Sequence, residues 1–151
     1  MTRPTVVLGP MRWWHIEPIE GIEEDLFGSE RWSAGMFWNE LANRRHYLVA
    51  LDAEQVVGYA GMATVPPDEA WIQNIAVRRD AQRAGIGRTL LEALLAHARS
   101  EGCRRTLLEV AVDNGPAQRL YDDYGFAPVG VRRGYYQPSN TDALVMMREE
   151  Q

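Results

Sequence analysis

Lysine is absent: all 16 basic residues among the 151 are arginine. A Schiff-base enzyme needs a lysine amine and a P-loop of the usual kind needs a lysine on the phosphates, so both classes are excluded. Cysteine occurs once, at Cys103, which excludes an internal disulfide framework and the common Cys-rich zinc patterns. The three histidines, His15, His46 and His97, lack metal-ligand spacing, and no metal is expected. No apolar run approaches the roughly 18 residues of a membrane span. The N-terminus carries no basic segment followed by an apolar stretch and a cleavage site, so the expected compartment is the cytoplasm, away from membranes. Positive charge is also in deficit, 16 basic against 21 acidic residues for a net of −5. That balance argues against a surface built to neutralise phosphates, so no direct nucleic-acid binding is expected and a basic partner fits better.

What is present fits one compact unit. A chain of 151 residues with 46% hydrophobic and 25% charged residues is of single-domain size, and neither repeats nor linker-like tracts divide it. The expectation is one domain over residues 1–151. Thr5-Val6-Val7-Leu8 reads as a strand ended by Gly9-Pro10, and Trp13 to Phe27 as a helix interrupted by Pro18 and Gly21. Six acids and no base lie between Glu17 and Glu30, either a solvated helical face or a surface for a cationic substrate. Ser33 is placed to cap a second helix running to about Asn43. His46 to Leu51, Val56 to Val65 and Ala70 to Val77 then read as an antiparallel meander.

The next helix is the clearest feature: Ile86, Leu90, Leu91, Leu94, Leu95 and Ala98 recur on one face, and Gly102 ends the run. A strand from Arg105 to Val112 follows. Asn114-Gly115-Pro116 opens a further helix with Ala117, Leu120, Tyr121 and Tyr124 on its buried stripe, closed by Gly125. Two strands, about Ala127 to Arg133 and Ala143 to Arg148, finish the chain, joined by a loop carrying Tyr135, Tyr136 and Pro138.

Chemistry concentrates in two places. The segment Gln82-Arg83-Ala84-Gly85-Ile86-Gly87-Arg88-Thr89 joins a strand to a helix N-terminus, where unpaired N–H groups and a partial positive charge suit an anion such as pyrophosphate. The dinucleotide pattern Gly-x-Gly-x-x-Gly fails here, because its third position is Leu90 and the preceding strands form a meander. The second place is Glu109, a carboxylate in an otherwise apolar strand. Such surroundings tend to raise a carboxyl's pKa and suit a general base, although a structural ion pair fits the same residues. By spacing alone Tyr121 reads as a core tyrosine, Asn114 as a helix cap and Cys103 as structural.

Gln82, Gly85 and Gly87 match the signature Gln/Arg-x-x-Gly-x-Gly/Ala, and with the order of elements the chain resembles a GNAT-superfamily N-acetyltransferase. Asn74-Ile75-Ala76-Val77, Leu108-Glu109-Val110, Asn114, Leu120-Tyr121, Tyr124-Gly125-Phe126, and Arg132 with Tyr135-Tyr136 are similar to the RimI-type ribosomal-protein alanine N-acetyltransferases. Ala111 and Asp113 depart from that pattern, which commonly has arginine and serine there.

The resemblance implies an α/β fold with a mixed, mostly antiparallel twisted sheet, helices on both faces and a V-shaped opening between the central strands. It implies acetyl-CoA as co-substrate, its pantetheine paired with backbone groups of Ile75, Ala76 and Val77 and its pyrophosphate on Gln82, Arg83, Ala84, Gly85, Ile86, Gly87, Arg88 and Thr89. Asn114 would hold the CoA arm, Glu109 would act as general base and Tyr121 as general acid, and Tyr135 and Tyr136 would line the acceptor groove. The implied acceptor is the N-terminal α-amine of an alanine-initiated protein, a small-subunit ribosomal protein. An α-amine with a pKa of about 7.7–8.0 is easier to neutralise at pH 7 than a lysine at about 10.4. Acetylation of a lysine side chain or a small amine stands as the alternative, and a non-catalytic acyl-CoA-binding module as another.

Overall fold

The computed structural model describes residues 6–150; Thr5, assigned to the first strand from sequence, lies outside the described residues. Its strands are β1 (Val6–Pro10), β2 (His46–Asp52), β3 (Gln55–Val65), β4 (Glu69–Val77), β5 (Arg105–Ala111), β6 (Ala127–Tyr136) and β7 (Thr141–Glu149). They form one mixed, mostly antiparallel sheet in the order β1-β2-β3-β4-β5-β7-β6. Four α-helices accompany it: α1 (Ile16–Phe27), α2 (Ala34–Ala42), α3 (Ile86–Ser100) and α4 (Gly115–Asp123). The expected α/β fold is the one observed. Contacts divide the chain into two compact units, one running to Met62 and including Asn74–Leu94, the other made of Ala63–Gln73 and the chain from Leu95 onward.

In the first unit β1 is an edge strand, paired antiparallel with β2 from Val6↔Asp52 to Pro10↔Leu48. The strand therefore continues through Gly9-Pro10, where the sequence pattern alone would end it. Proline is tolerated because an edge strand has one side on which no ladder donor is needed. The interruption expected at Pro18 and Gly21 is also absent. A short 3-10 turn at Trp13–His15 leads into α1, which runs unbroken from Ile16. Pro18 is the third helical residue, where the backbone N–H has no intrahelical acceptor to lose, and burial of Ile16, Ile19 and Ile22 holds the helix across Gly21. The hairpin between β2 and β3 pairs Asp52 with Gln55 across a two-residue turn, Ala53 and Glu54, both at positive φ.

The core of this unit gathers Met11, Ile16, Ile19, Ile22, Phe37, Tyr47, Val49, Val56, Tyr59 and Ala76. Ser33 caps α2 as expected, its Oγ accepting the Met36 N–H at 3.3 Å. The acidic stretch on α1 is not one solvated face: Glu23 is only 2% exposed and belongs to the interior. Its Oε1 accepts the Trp32 N–H at 2.8 Å, and Tyr59 donates its hydroxyl hydrogen to Oε2. Burial pushes the Glu23 carboxyl pKa upward, against the two hydrogen bonds.

The second unit is organised by two matching helix ends. At the end of α3, Gly102 adopts φ 77°, with Cys103 N–H bonded to Ala98 O at 2.9 Å and Gly102 N–H to Arg99 O at 3.1 Å. At the end of α4, Gly125 adopts φ 86°, with Phe126 N–H bonded to Tyr121 O and Gly125 N–H to Asp122 O, both at 3.0 Å. Both are Schellman turns, which require a left-handed residue where glycine sits. Ile86, Leu90, Leu91, Leu94, Leu95 and Ala98 are all buried, as their spacing predicts. On α4 the expected stripe is thinner: Tyr121 is buried, whereas Ala117, Leu120 and Tyr124 are half-buried. A nine-residue helix at the surface has one position that reaches fully inward. The last hairpin is longer than expected, and Tyr135 and Tyr136 lie in β6, not in a loop, with Tyr136 opposite Thr141. Gly134, at φ 60°, makes the irregularity that lets pairing resume, its N–H donating to Asp142 Oδ1 at 2.8 Å.

Candidate active site

In the first unit, Ile75, Ala76 and Val77 form the end of β4. The parallel ladder of β4 with β5 comprises Glu69–Ile72 and Arg105–Leu108, so Ile75–Val77 lie outside it. Arg78 N–H closes the strand end onto Val57 O at 2.7 Å, and Gln82 Nε2 donates to Val77 O at 3.0 Å, pinning the loop beneath the strand. The backbone then turns through Arg83 at φ 65° and Gly85 at φ 83°. Gly85 O accepts both the Thr89 N–H at 3.1 Å and the Thr89 hydroxyl at 2.9 Å, which makes Gly85 the residue preceding the first helical turn. The N–H groups of Ile86 and Gly87 therefore have no i−4 carbonyl within α3, and the turn they open is an anion-attracting helix start. Ile86 is buried and anchors that turn, while Gln82, Arg83, Gly85, Arg88 and Thr89 are exposed and Ala84 is half-buried. A Cβ added at Gly85 would meet nothing within 4 Å, so a ligand has room to approach the backbone there. The loop fits a phosphate-bearing ligand in shape and in charge.

Gly58 explains how the helix start reaches the strand. A Cβ on Gly58 would lie 3.0 Å from Ala76 O, 3.2 Å from Leu90 Cδ1 and 3.4 Å from Ile86 Cγ2. Glycine lets α3 and β4 approach β3 this closely, since a methyl group there would need its neighbours to give by a few tenths of an ångström.

In the second unit, Glu109 sits midway along β5, its side chain 14% exposed. Oε2 is buried and accepts no hydrogen bond from the described residues, while Arg132 Nε lies 3.9 Å from it. The Arg132 guanidinium is 5.8 Å from the centre of the Trp71 ring and 5.9 Å from that of Tyr135. The Tyr135 and Tyr136 rings meet edge to face with centroids 5.0 Å apart, and the Tyr136 hydroxyl donates to Glu109 O at 3.4 Å. Burial first, then a hydrogen bond to the Glu109 carboxylate and that group's charge, push the Tyr135 phenol pKa upward, so Tyr135 is a neighbour of the carboxylate although Oε2 itself has no partner. Tyr121 is 5% exposed, and its phenol is also pushed upward, by burial first and then by Tyr136. Both phenols stay protonated at neutral pH. Asn114 caps α4, its Oδ1 accepting the Ala117 N–H at 3.2 Å. Cys103 is buried, with its thiol directed to Glu69 O at 3.6 Å and its pKa raised by burial, as a structural residue would be.

The Acetyltransferase (GNAT) family profile matches residues 10–126. The chain belongs to the GNAT acetyltransferase family. N-alpha-acetyltransferase RimI of Mycobacterium tuberculosis is 41% identical over 133 residues, covering 85% of this chain and 82% of that protein. A ribosomal protein bS18-alanine N-acetyltransferase of Salmonella typhimurium is 35% identical over 117 residues, 76% of this chain and 78% of the relative. The crystal structure of the ribosomal-protein-S18-alanine N-acetyltransferase from Escherichia coli superposes with a TM-score of 0.87 at 28% identity, covering 96% of this chain and 94% of that one. As a GNAT member with such relatives, the protein is an acetyl-CoA-dependent N-acetyltransferase. The GNAT match contains the glycine loop, Glu109, Asn114 and Tyr121, while Arg132, Tyr135 and Tyr136 lie beyond it.

Gln118 and Trp71 carry no functional signal in the sequence pattern, and Arg132 carries one only through the family resemblance. Gln118 Nε2 bonds both Ala111 O and Val112 O at 3.1 Å, tying the end of β5 to α4. Trp71 and Arg132 meet because of register alone. Trp71 pairs with Leu107 and Glu109 with Val145, while Ala143 pairs with Arg132. Positions two apart share a face, so Trp71, Glu109 and Arg132 all project from the same side of the sheet. Sequence spacing carries no trace of that row.

Proposed function

We propose that the protein transfers acetyl from acetyl-CoA directly to the N-terminal α-amine of an alanine-initiated ribosomal protein. The observation that carries this reading is the buried Oε2 of Glu109, which has no hydrogen-bond donor among the described residues and is surrounded by Arg132 and the Tyr135–Tyr136 pair. A buried carboxylate oxygen without a donor is costly, and an incoming ammonium supplies the missing N–H. Relatives named for the same acetylation, matched over most of the chain, support the acceptor class.

On this reading the whole chain acts as one acetyltransferase domain. Acetyl-CoA supplies the thioester on which the amine nitrogen acts. Backbone groups of Ile75, Ala76 and Val77 pair with the pantetheine arm, the N–H groups from Gln82 to Thr89 take the pyrophosphate, and Asn114 steadies the arm while capping α4. Glu109 Oε takes one proton from the acceptor ammonium, the freed amine forms the N–C bond as the C–S bond breaks, Tyr121 gives its proton to the departing thiolate, and the second proton shed by the nitrogen restores the Tyr121 hydroxyl. Tyr135 and Tyr136 line the acceptor groove.

The test is CoA release with acetyl-CoA and two peptides, one beginning with a free alanine followed by arginine, the other N-blocked with an internal lysine. Mass spectrometry places the acetyl group. Modification of the alanine amine alone is the expected result, and modification of lysine alone removes the acceptor assignment.

A further inference from the structure

Glu109 Oε2 has an ionic neighbour but no hydrogen-bond donor among the described residues, and the neighbour is held by something other than Glu109. Arg132 comes from β6, with β7 lying between it and β5. Two strand spacings make about 10 Å, a gap that the Arg132 and Glu109 side chains close from opposite sides next to the small, fully buried Ala143. The Arg132 guanidinium lies between the rings of Trp71 and Tyr135, at 5.8 and 5.9 Å from their centres. Both distances are within reach of a cation–π attraction, for which arginine suits better than lysine because the guanidinium is planar and weakly hydrated. The result is a fixed positive charge 3.9 Å from the buried oxygen, too far to occupy its lone pairs.

We propose that Arg132 is a positioning residue acting through Glu109: its guanidinium stands beside the buried carboxylate as a counter-charge without filling the Oε2 lone pairs, which stay open to the N–H of an acceptor amine. This rests on the reading of Glu109 as the base. A direct arginine hydrogen bond would fill the oxygen and compete with the acceptor, and no charge at all would leave a buried carboxylate uncompensated. The observed distance avoids both. The proton passes from the ammonium nitrogen to Glu109 oxygen, and no bond to Arg132 forms or breaks.

The experiment compares wild type, Arg132→Ala, Arg132→Lys, Glu109→Gln and the Ala/Gln double variant with an alanine-initiated peptide. Thermal melting and acetyl-CoA affinity serve as controls for folding and cofactor binding. The expected result for Arg132→Ala is a kcat lower by about tenfold with acetyl-CoA KM unchanged. Millimolar guanidinium chloride restores rate to it, Arg132→Lys restores only part, and in the Glu109→Gln background removing Arg132 costs nothing further. Wild-type kcat in Arg132→Ala overturns the inference. So does a loss that neither guanidinium nor lysine repairs and that persists in the Glu109→Gln background. A Glu109→Gln variant with wild-type turnover instead removes the underlying assignment of the base, and is read independently of Arg132.

Discussion

The ring of Tyr121 meets that of Phe126 at 62° with centroids 5.8 Å apart, across the glycine turn that ends α4. The contact joins the third-last position of the helix to the residue after Gly125, the pair that a Schellman turn brings together. One local motif thus orients the proposed acid. Tyr121→Phe keeps the ring and removes only the hydroxyl. It is expected to leave urea unfolding close to wild type and to lower kcat by about 10²-fold or more, as loss of a general acid does. Phe126→Ala removes a side chain that is 1% exposed and should cost about 3–5 kcal/mol in the same unfolding experiment. A Tyr121→Phe variant with full turnover would assign the proton to another group.

Glu23 makes stability depend on pH in a direction opposite to most carboxylates. Its pKa is raised in the folded protein by burial, so the stability linked to the neutral acid is fully present below the unfolded value and is lost as pH rises through the raised folded one. Glu23→Gln mimics the neutral acid, since the amide oxygen can accept from Trp32 N–H and the amide nitrogen can donate to Tyr59. Urea unfolding at a series of pH values from 4 to 8 should show the variant gaining on wild type as pH increases. A constant difference across that range counts against the buried acid as the titrating group.

What is legible in the sequence is whatever local period or turn chemistry decides. The face of α3 from Ile86 to Ala98, the Ser33 and Asn114 caps and the glycine stops at Gly102 and Gly125 each stand in the structure as expected. Pro18 and Gly21 mislead because propensity penalises both, whereas the first-turn position of Pro18 and the burial of Ile16, Ile19 and Ile22 outweigh it. Tyr135 and Tyr136 fall in a strand and not a loop because pairing resumes after the irregularity at Gly134, a tertiary event no local pattern announces. The loop, Glu109 and Tyr121 are visible as motif residues. The Trp71–Arg132–Glu109 group depends on which strands neighbour which, and β7 lies between β5 and β6 in the sheet although it follows both in the chain.

Gly58 is expected to matter for the cofactor more than its position in β3 suggests. A Cβ there would press on Ala76 O at 3.0 Å, and backbone of β4 cannot yield as a side chain does. The helix start at Ile86 and the strand end at Val77 should be forced apart, with overpacking costing about 1–3 kcal/mol. Gly58→Ala should therefore weaken acetyl-CoA binding by calorimetry as well as lowering the thermal midpoint. A variant with reduced stability but unchanged acetyl-CoA affinity would uncouple the two elements.

Gly85 gives the converse case, a glycine required by backbone angle and not by space. With φ at 83° and nothing within 4 Å of an added methyl group, Gly85→Ala meets no steric clash but must hold a left-handed conformation that disfavours L side chains by about 1–2 kcal/mol. If the strain is relieved by turning the loop, the N–H groups of the first α3 turn lose their common aim while the hydrophobic face of the helix stays buried. The expected outcome is an acetyl-CoA dissociation constant raised about tenfold, with kcat at saturating acetyl-CoA close to wild type, since Glu109 and Tyr121 belong to other elements. An unchanged dissociation constant, measured by isothermal calorimetry, would count against the loop backbone as the proposed pyrophosphate site, and Arg83 and Arg88 would then be the residues to replace.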